Sequence, residues 1–214
     1  MIRPFGEASL LVELESAASA QALAESLRAA PIEGIVGAVP GLTSLLVDFD
    51  PLAETTERVT SELQARMDSA AAVPPIGRLR TIPVAYGGRD GPDLADVATL
   101  SGLSEDEVVT LHAAMELRVL FLGFAPGFAY LGDLPETLRV PRLATPRTRT
   151  PAGSVGIAGP MSGIYPADLP GGWRVIGRTS ITLFDPHRDP PAFLAPGDSV
   201  RFERACSRSW PRGR

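Results

Sequence analysis

The side chains best suited to chemistry lie between residues 122 and 179, where proline and glycine recur every few positions. The stretch 141–156 reads PRLATPRTRTPAGSVG and carries Arg142, Arg147 and Arg149 on a backbone stiffened by three prolines. A guanidinium group binds carboxylate or phosphate oxygens through paired hydrogen bonds. The segment therefore predicts an anion site or a contact with a partner protein. The competing interpretation is a loop whose arginines pair with nearby acids.

A second glycine-rich stretch, GFAPGFAYLG at 123–132, repeats Gly-Phe-Ala around Pro126. Gly127 would let the backbone turn and approach a ligand closely, and Phe128 and Tyr130 could form a wall against a planar group. Flanking aromatics of this kind are more commonly core residues, so Phe124 and Phe128 are predicted to be buried beside a tight turn. Two further aromatics, Tyr165 and Trp173, stand beside glycine turns, where they could line a pocket or fill the core.

Few side chains are available for acid–base or nucleophilic chemistry. The chain has no lysine, two histidines and a single cysteine. This excludes a Schiff-base lysine, a P-loop lysine, a Ser–Lys pair and, in practice, a structural zinc site. His112 lies on the apolar face of a predicted helix, where a core histidine is the usual outcome, but it is the one plausible acid or base at neutral pH. Ser154 lacks the Gly-x-Ser-x-Gly context of a hydrolase nucleophile.

The bulk composition is that of an ordinary folded protein, with 44% hydrophobic and 21% charged residues. The formal net charge of −5 argues against a nucleic-acid surface, which needs a basic face. No apolar run approaches the ~20 residues that span a bilayer. The N-terminus has no signal-peptide pattern, and the lone Cys206 fits a reducing compartment, so a cytoplasmic location is expected.

The residues before the site predict a small α+β domain. Alternating apolar residues predict strands, and apolar residues at i, i+3, i+4 and i+7 predict helices. Asp50-Pro51 favours a helix start, so the second helix is predicted to run from there to about Met67 and to bury Leu52. The order is βαββαβ, as in ferredoxin-like domains, with strands at 10–14, 35–39, 44–49 and 79–86 and helices at 16–30 and 51–67.

The pattern changes at 87–92, which is the predicted domain boundary. Asp93 would open a short helix that ends at Gly102, and the Ser104-x-x-Glu107 capping box would open a second one. Short β-rich runs separated by turns follow, which is typical of a small closed β-barrel or sandwich. The predicted domains are residues 1–88 and 89–205, followed by a solvated tail at 206–214.

Several strings of the sequence together resemble one family. It is known as allophanate hydrolase subunit 1, as the sporulation-kinase inhibitor-like proteins and as the B-type subunit of bacterial 5-oxoprolinase. The strings are IPVAYGG at 82–88, GFAPGFAYL at 123–131, PRTRTPAGSVG at 146–156, IYP at 164–166, PGGWRVIGRT at 170–179 and PGDSV at 196–200. The resemblance implies an N-terminal ferredoxin-like βαββαβ domain followed by a cyclophilin-like β-barrel domain, an α+β fold.

The resemblance also implies an activity shared between chains. The family's enzyme opens 5-oxo-L-proline to L-glutamate while it hydrolyses ATP, and it needs subunits of the A and C kinds. This chain would be inactive alone, would hold no metal, and would meet ATP and Mg in the assembled complex. The catalytic residues expected here are His112, Arg147, Arg149 and Ser154. The expected substrate- or nucleotide-binding residues are Pro126, Gly127, Phe128, Tyr130, Pro151, Gly153, Tyr165, Trp173 and Arg178.

Three other functions remain open. The chain could be a protein-binding inhibitor that docks on a sensor histidine kinase, which would suit the lack of a self-contained catalytic set. It could be the carboxyltransferase-like part of a urea carboxylase system. Because the chain has no biotinylation lysine, the biotin would then be carried by another chain. A peptidyl-prolyl isomerase, suggested by the barrel alone, ranks last.

Overall fold

The computed structural model describes residues 1–69 and 77–205. The chain divides into two compact units, Met1–Ile76 and Gly77–Arg214. The predicted tail at 206–214, which includes Cys206, lies outside the described residues. Within the described part, no helix is both long and apolar enough to cross a bilayer.

The first unit packs two helices against an antiparallel sheet. Every second residue of its two central strands is buried, including Leu10, Val12, Leu45 and Val47, because side chains alternate between the faces of a strand. The elements are β1 (Ile2–Pro4), β2 (Ser9–Glu13), α1 (Ala17–Ala29), β3 (Ile35–Pro40), β4 (Ser44–Phe49) and α2 (Thr56–Ser69). The strand order is β1-β2-β4-β3.

The strand predicted at 79–86 does not complete this sheet, which corrects the first predicted domain. The N-terminal strand β1 occupies the edge of β2 instead, with Ile2 opposite Val12. Because that edge is taken, the later strand pairs elsewhere, and the boundary between the units falls at Ile76/Gly77 rather than after residue 88.

The predicted start of the second helix is also corrected. The Asp50 carboxylate accepts a hydrogen bond from the Leu52 N–H at 2.9 Å, which closes a local turn. The helix begins only at Thr56. Leu52 is therefore 96% exposed rather than buried.

The second unit is built around the predicted closed barrel, and the α+β fold class is confirmed. In the described residues the barrel order is β10-β7-β6-β13-β5-β12-β9. Its strands are β5 (Leu79–Tyr86), β6 (Glu116–Leu122), β7 (Ala129–Gly132), β9 (Ser154–Ala158), β10 (Met161–Ile164), β12 (Arg174–Arg178) and β13 (Ser199–Arg204). The strands β8 (Arg147–Thr150) and β11 (Leu169–Gly171) form a separate ribbon.

Two helices, α3 (Leu94–Ser101) and α4 (Glu105–Ala114), precede β6. The predicted capping box is present, since the Ser104 and Glu107 side chains cap each other's backbone N–H groups. Gly102 ends α3 in the left-handed conformation, with φ of 67°. These caps fix the direction of α4, which carries His112 into the barrel core.

Candidate functional site

Four of the predicted binding residues meet in one aromatic cluster on the barrel. The Phe128 ring lies 4.9 Å from Tyr130, 5.4 Å from Tyr165 and 5.6 Å from Trp173, measured between ring centroids. All three pairs are edge-to-face, which is a favoured arrangement of aromatic rings. We define the aromatic cluster as these four residues together with Phe121 and Phe124, which stack on Tyr130 and pack against Phe128.

Glycines on β10 and β11 make room for the rings. A Cβ atom at Gly163 would lie 3.0 Å from the Trp173 ring and 3.1 Å from Phe128. A Cβ atom at Gly171 would collide with the Tyr165 hydroxyl. The close approach of strand backbone to ring faces therefore requires glycine at both positions.

Phe124 opens the cluster to solvent, contrary to its predicted burial. It is 59% exposed and has φ of 68°, in the left-handed region that a bulky side chain rarely adopts. The conformation is held by a tight turn, in which the Ala125 N–H donates to the Gly123 carbonyl at 2.8 Å. A strained, exposed aromatic residue on a structured turn is typical of a binding surface.

Phe128 has the opposite placement. It is 2% exposed and lies at the centre of the cluster, as predicted. The pKa values of the Tyr130 and Tyr165 hydroxyls are raised above the ordinary tyrosine value, chiefly by burial. Both phenols are therefore protonated at neutral pH and can donate hydrogen bonds.

Arg142 approaches this cluster from the proline-rich segment. Its backbone is fixed on both sides: the Pro141 carbonyl accepts from Arg174 Nε at 3.1 Å, and the Leu143 N–H donates to the Gly172 carbonyl at 2.7 Å. The exposed guanidinium lies close enough to act electrostatically on both tyrosine hydroxyls. Among the described residues it has no carboxylate partner.

Arg147 is engaged within the chain. Its Nη1 and Nη2 donate to the two oxygens of Asp93 at 2.9 and 2.6 Å. The buried Asp93 also accepts from the Val175 N–H at 2.6 Å. The pair therefore ties the proline-rich segment to the start of α3 and to β12.

Arg149 and Arg178 lie together on the other side of this segment. Arg149 Nε donates to Asp168 at 2.8 Å, and Nη2 contacts the same carboxylate oxygen. The Ala152 N–H and the Arg149 guanidinium both hydrogen-bond Asp168 and hold the pKa of that carboxyl below its usual range. Arg178 Nε donates to the Ala152 carbonyl at 2.9 Å. Both guanidinium groups therefore already have partners within this chain, Asp168 for Arg149 and the Ala152 carbonyl for Arg178.

His112 is completely buried and lies in the middle of a chain of hydrogen bonds. Its Nδ1 lies 2.8 Å from the Tyr86 hydroxyl and its Nε2 3.0 Å from Ser162 Oγ, which in turn donates to the Gly156 carbonyl at 3.2 Å. Because Ser162 gives its proton to Gly156, it accepts from a protonated Nε2, and Tyr86 donates to Nδ1. Burial lowers the pKa of His112 to about 3. The ring is neutral, fully hydrogen-bonded and stacked on Phe202 at 4.5 Å.

The remaining predicted residues position the backbone. Ser154 is buried in β9 opposite Arg178. Gly153 has φ of 80°, and its N–H donates to the Tyr165 carbonyl at 2.7 Å. Gly127, with φ of 82°, packs against Phe184, while Pro126 and Pro151 are exposed at turns. The sequence analysis included Arg142 in the candidate anion segment but not among the expected site residues, treated Phe124 as a core residue, and gave Asp93 no role in the site. The signals in the sequence were the glycine and the proline that flank Phe124-Ala125 and the proline that precedes Arg142.

Comparison with known proteins gives three consistent findings. Residues 1–194 match the family described as carboxyltransferase domain, subdomain C and D. The chain is 47% identical over 201 residues to the B-type subunit of 5-oxoprolinase from Escherichia coli O157:H7, an alignment that covers 92% of each protein. The crystal structure of TTHA0988 matches with a TM-score of 0.81 and 37% identity over 99% of this chain.

Two of the matched solved structures are much longer than this chain. It spans 41% of TTHA0988. It also matches 22% of the Kluyveromyces lactis urea carboxylase, with 97% of this chain covered, a TM-score of 0.77 and 22% identity. That last similarity shows a shared fold.

Proposed function

Since the chain belongs to the carboxyltransferase-domain family that contains the B-type subunit of 5-oxoprolinase, we propose that it is this subunit of an ATP-dependent 5-oxoprolinase. It works as part of an enzyme complex, and its partners are chains of the A and C kinds. The reaction converts 5-oxo-L-proline, ATP and water into L-glutamate, ADP and phosphate.

The chemistry of the lactam explains why ATP is consumed. A lactam is a stabilised amide, so its carbonyl resists attack by water. Transfer of a phosphoryl group from ATP to the lactam oxygen makes that carbon electrophilic. Water then adds to that carbon, and the ring C–N bond breaks to give an amine and an acyl phosphate. A second water hydrolyses the acyl phosphate to the free carboxylate of glutamate and phosphate.

The observation that carries the proposal is the open aromatic cluster. Phe124 is 59% exposed and Tyr130 is partly exposed, and both pack against Phe128, so they offer apolar surface beside a turn that a backbone hydrogen bond closes. The candidate acid–base and nucleophilic groups of the described chain, His112 and Ser154, are buried away from solvent. A partner chain must therefore complete the site, and the chain alone is expected to be inactive.

ATP fits this chain poorly, so we place its binding on a partner chain. The sequence has no lysine, and Arg147 and Arg149 already neutralise Asp93 and Asp168. Across residues 1–69 and 77–205, no cluster of three or more His, Cys, Asp or Glu side chains could hold a metal ion. The magnesium that accompanies ATP would be bound with it.

Reconstitution tests the function directly. The chain is co-expressed with its A-like and C-like partners, and ATP-dependent glutamate release from 5-oxoproline is measured with and without it. Activity that requires this chain supports the proposal. An associated but inactive complex would point to another lactam or a urea-like substrate, and a chain that does not associate would favour the kinase-inhibitor alternative.

The site within the chain is tested by a matched pair of exposed phenylalanines. Phe124→Ala should lower kcat/KM of the reconstituted enzyme by about 10-fold, because it removes an apolar face of the site. Phe5→Ala removes a side chain of similar exposure, 55% against 59%, from the other unit and should leave kcat/KM unchanged. If Phe5→Ala lowers kcat/KM as much as Phe124→Ala does, the aromatic cluster is not part of the site.

A further inference from the structure

The arginines of the proline-rich segment differ in what their guanidinium groups contact. Arg147 and Arg149 each contact a carboxylate of this chain, Asp93 and Asp168 respectively. Arg142 has no such partner among the described residues, although hydrogen bonds fix the backbone on either side of it. The chain thus holds Arg142 in place but leaves its charge available.

The backbone contacts put Arg142 at the edge of the aromatic cluster. Leu143 is hydrogen-bonded to Gly172, and both chain neighbours of Gly172 contact the aromatic cluster. On one side, Gly171 packs on the Tyr165 hydroxyl; on the other, Trp173 packs on Phe128. A guanidinium, the partly exposed Tyr130 phenol and an apolar wall are groups that recognise a compact carboxylate attached to a small ring.

We propose that Arg142 binds the carboxylate of the substrate, with the Tyr130 hydroxyl beside it and the ring against the exposed side of the cluster. The identity of that substrate as 5-oxoproline rests on the proposed function, whereas the carboxylate site does not. Arg147 and Arg149 then act as positioning residues: they hold the segment, and Arg142 makes the contact.

The reconstituted enzyme tests this assignment. Arg142→Ala should raise KM for 5-oxoproline by about 30-fold, since a paired hydrogen bond between charged groups is lost. Arg142→Lys should recover part of that loss because it restores the charge without the planar fork. Arg201→Ala is the control: this arginine is also exposed on the barrel and pairs with Glu116. A KM for Arg142→Ala equal to that of Arg201→Ala overturns the assignment, even if the enzyme is active.

A second measurement separates this inference from the proposed function. The full-length chain is titrated with benzoate, a flat carboxylate, and with benzamide, its neutral counterpart, and binding is followed by NMR. Wild type and Arg201→Ala should prefer benzoate, and Arg142→Ala should lose that preference. This result in a complex without oxoprolinase activity would keep the carboxylate site and reject the substrate. The carboxylate site is overturned if the chain binds benzoate no better than benzamide and if Arg142→Ala leaves the KM of the complex unchanged.

Discussion

Arg142 and Arg147 lie five residues apart on one proline-rich segment, yet only the Arg147 side chain has a carboxylate partner in the described chain. Arg147 makes two hydrogen bonds to a buried carboxylate that also holds the backbone of β12. Arg142 is held through the backbone of its neighbours, and no carboxylate of the described chain meets its side chain. Both are arginines that directly follow a proline. The presence or absence of a carboxylate partner therefore distinguishes an arginine that stabilises the barrel from one that can bind a ligand.

The same contrast separates His112 from Phe124. Every polar atom of the His112 ring is hydrogen-bonded inside the core. Phe124, in contrast, is an apolar residue held in a strained backbone conformation and left in solvent. The barrel therefore has a closed region, in which polar groups are paired, and an open rim, in which reactive or apolar groups are kept available. Function is expected at the rim, and stability is expected to depend on the closed region.

Removal of Asp93 should give the largest loss of stability. Asp93→Ala leaves Arg147 and the Val175 N–H without their partner, and loss of one member of a buried ion pair costs about 3 kcal/mol. We expect the Tm of the chain to fall by roughly 10 °C in thermal unfolding followed by circular dichroism.

The exposed pair on the same segment is the control for that experiment. Asp168→Ala removes the partner of Arg149, but solvent can replace an exposed ion pair, so the Tm should barely change. If Asp168→Ala lowered the Tm as much as Asp93→Ala, the distinction between the buried Asp93–Arg147 pair and the exposed Asp168–Arg149 pair would be wrong.

The closed region should also govern acid stability. Because the pKa of His112 is about 3 in the folded chain and near 6.5 when unfolded, only the unfolded state binds the proton between these values. The free energy of unfolding should therefore fall as the pH drops below 6.5, by about 2 kcal/mol at pH 5. His112→Phe keeps a ring against Phe202 but cannot titrate, so urea denaturation should show a shallower pH dependence. Parallel curves for the two proteins would contradict the buried neutral ring.

Local sequence was sufficient where the structure depends on neighbours in the chain. The Ser104–Glu107 capping box and the left-handed Gly102 follow from spacing within one helical turn. The barrel class follows from the short β-rich runs separated by turns, and Phe128 and Tyr165, which lie next to two of the resulting strands, pack together.

Distant pairing is what the sequence left undetermined. Arg147 meets Asp93 across 54 positions, and nothing in either local pattern selects that partner. Strand β5 has the same apolar alternation whichever sheet it joins, and the competition from β1 for the edge of β2 decided the outcome. The exposure of Phe124 depends on a backbone conformation that composition alone does not reveal.

The smallest expected effect compares two substitutions at Phe124, and it separates strain from binding. Both Phe124→Gly and Phe124→Ala remove the ring, so both should lower activity equally. Only glycine adopts φ of 68° without a steric penalty, so the glycine variant should be more stable than the alanine variant by about 1 kcal/mol in urea denaturation. At an ordinary loop position the order is reversed, because glycine has the larger conformational freedom to lose on folding. A more stable alanine variant would mean that the rim carries no backbone strain, and the preorganisation of the open region would then rest on the hydrogen bonds of the turn alone.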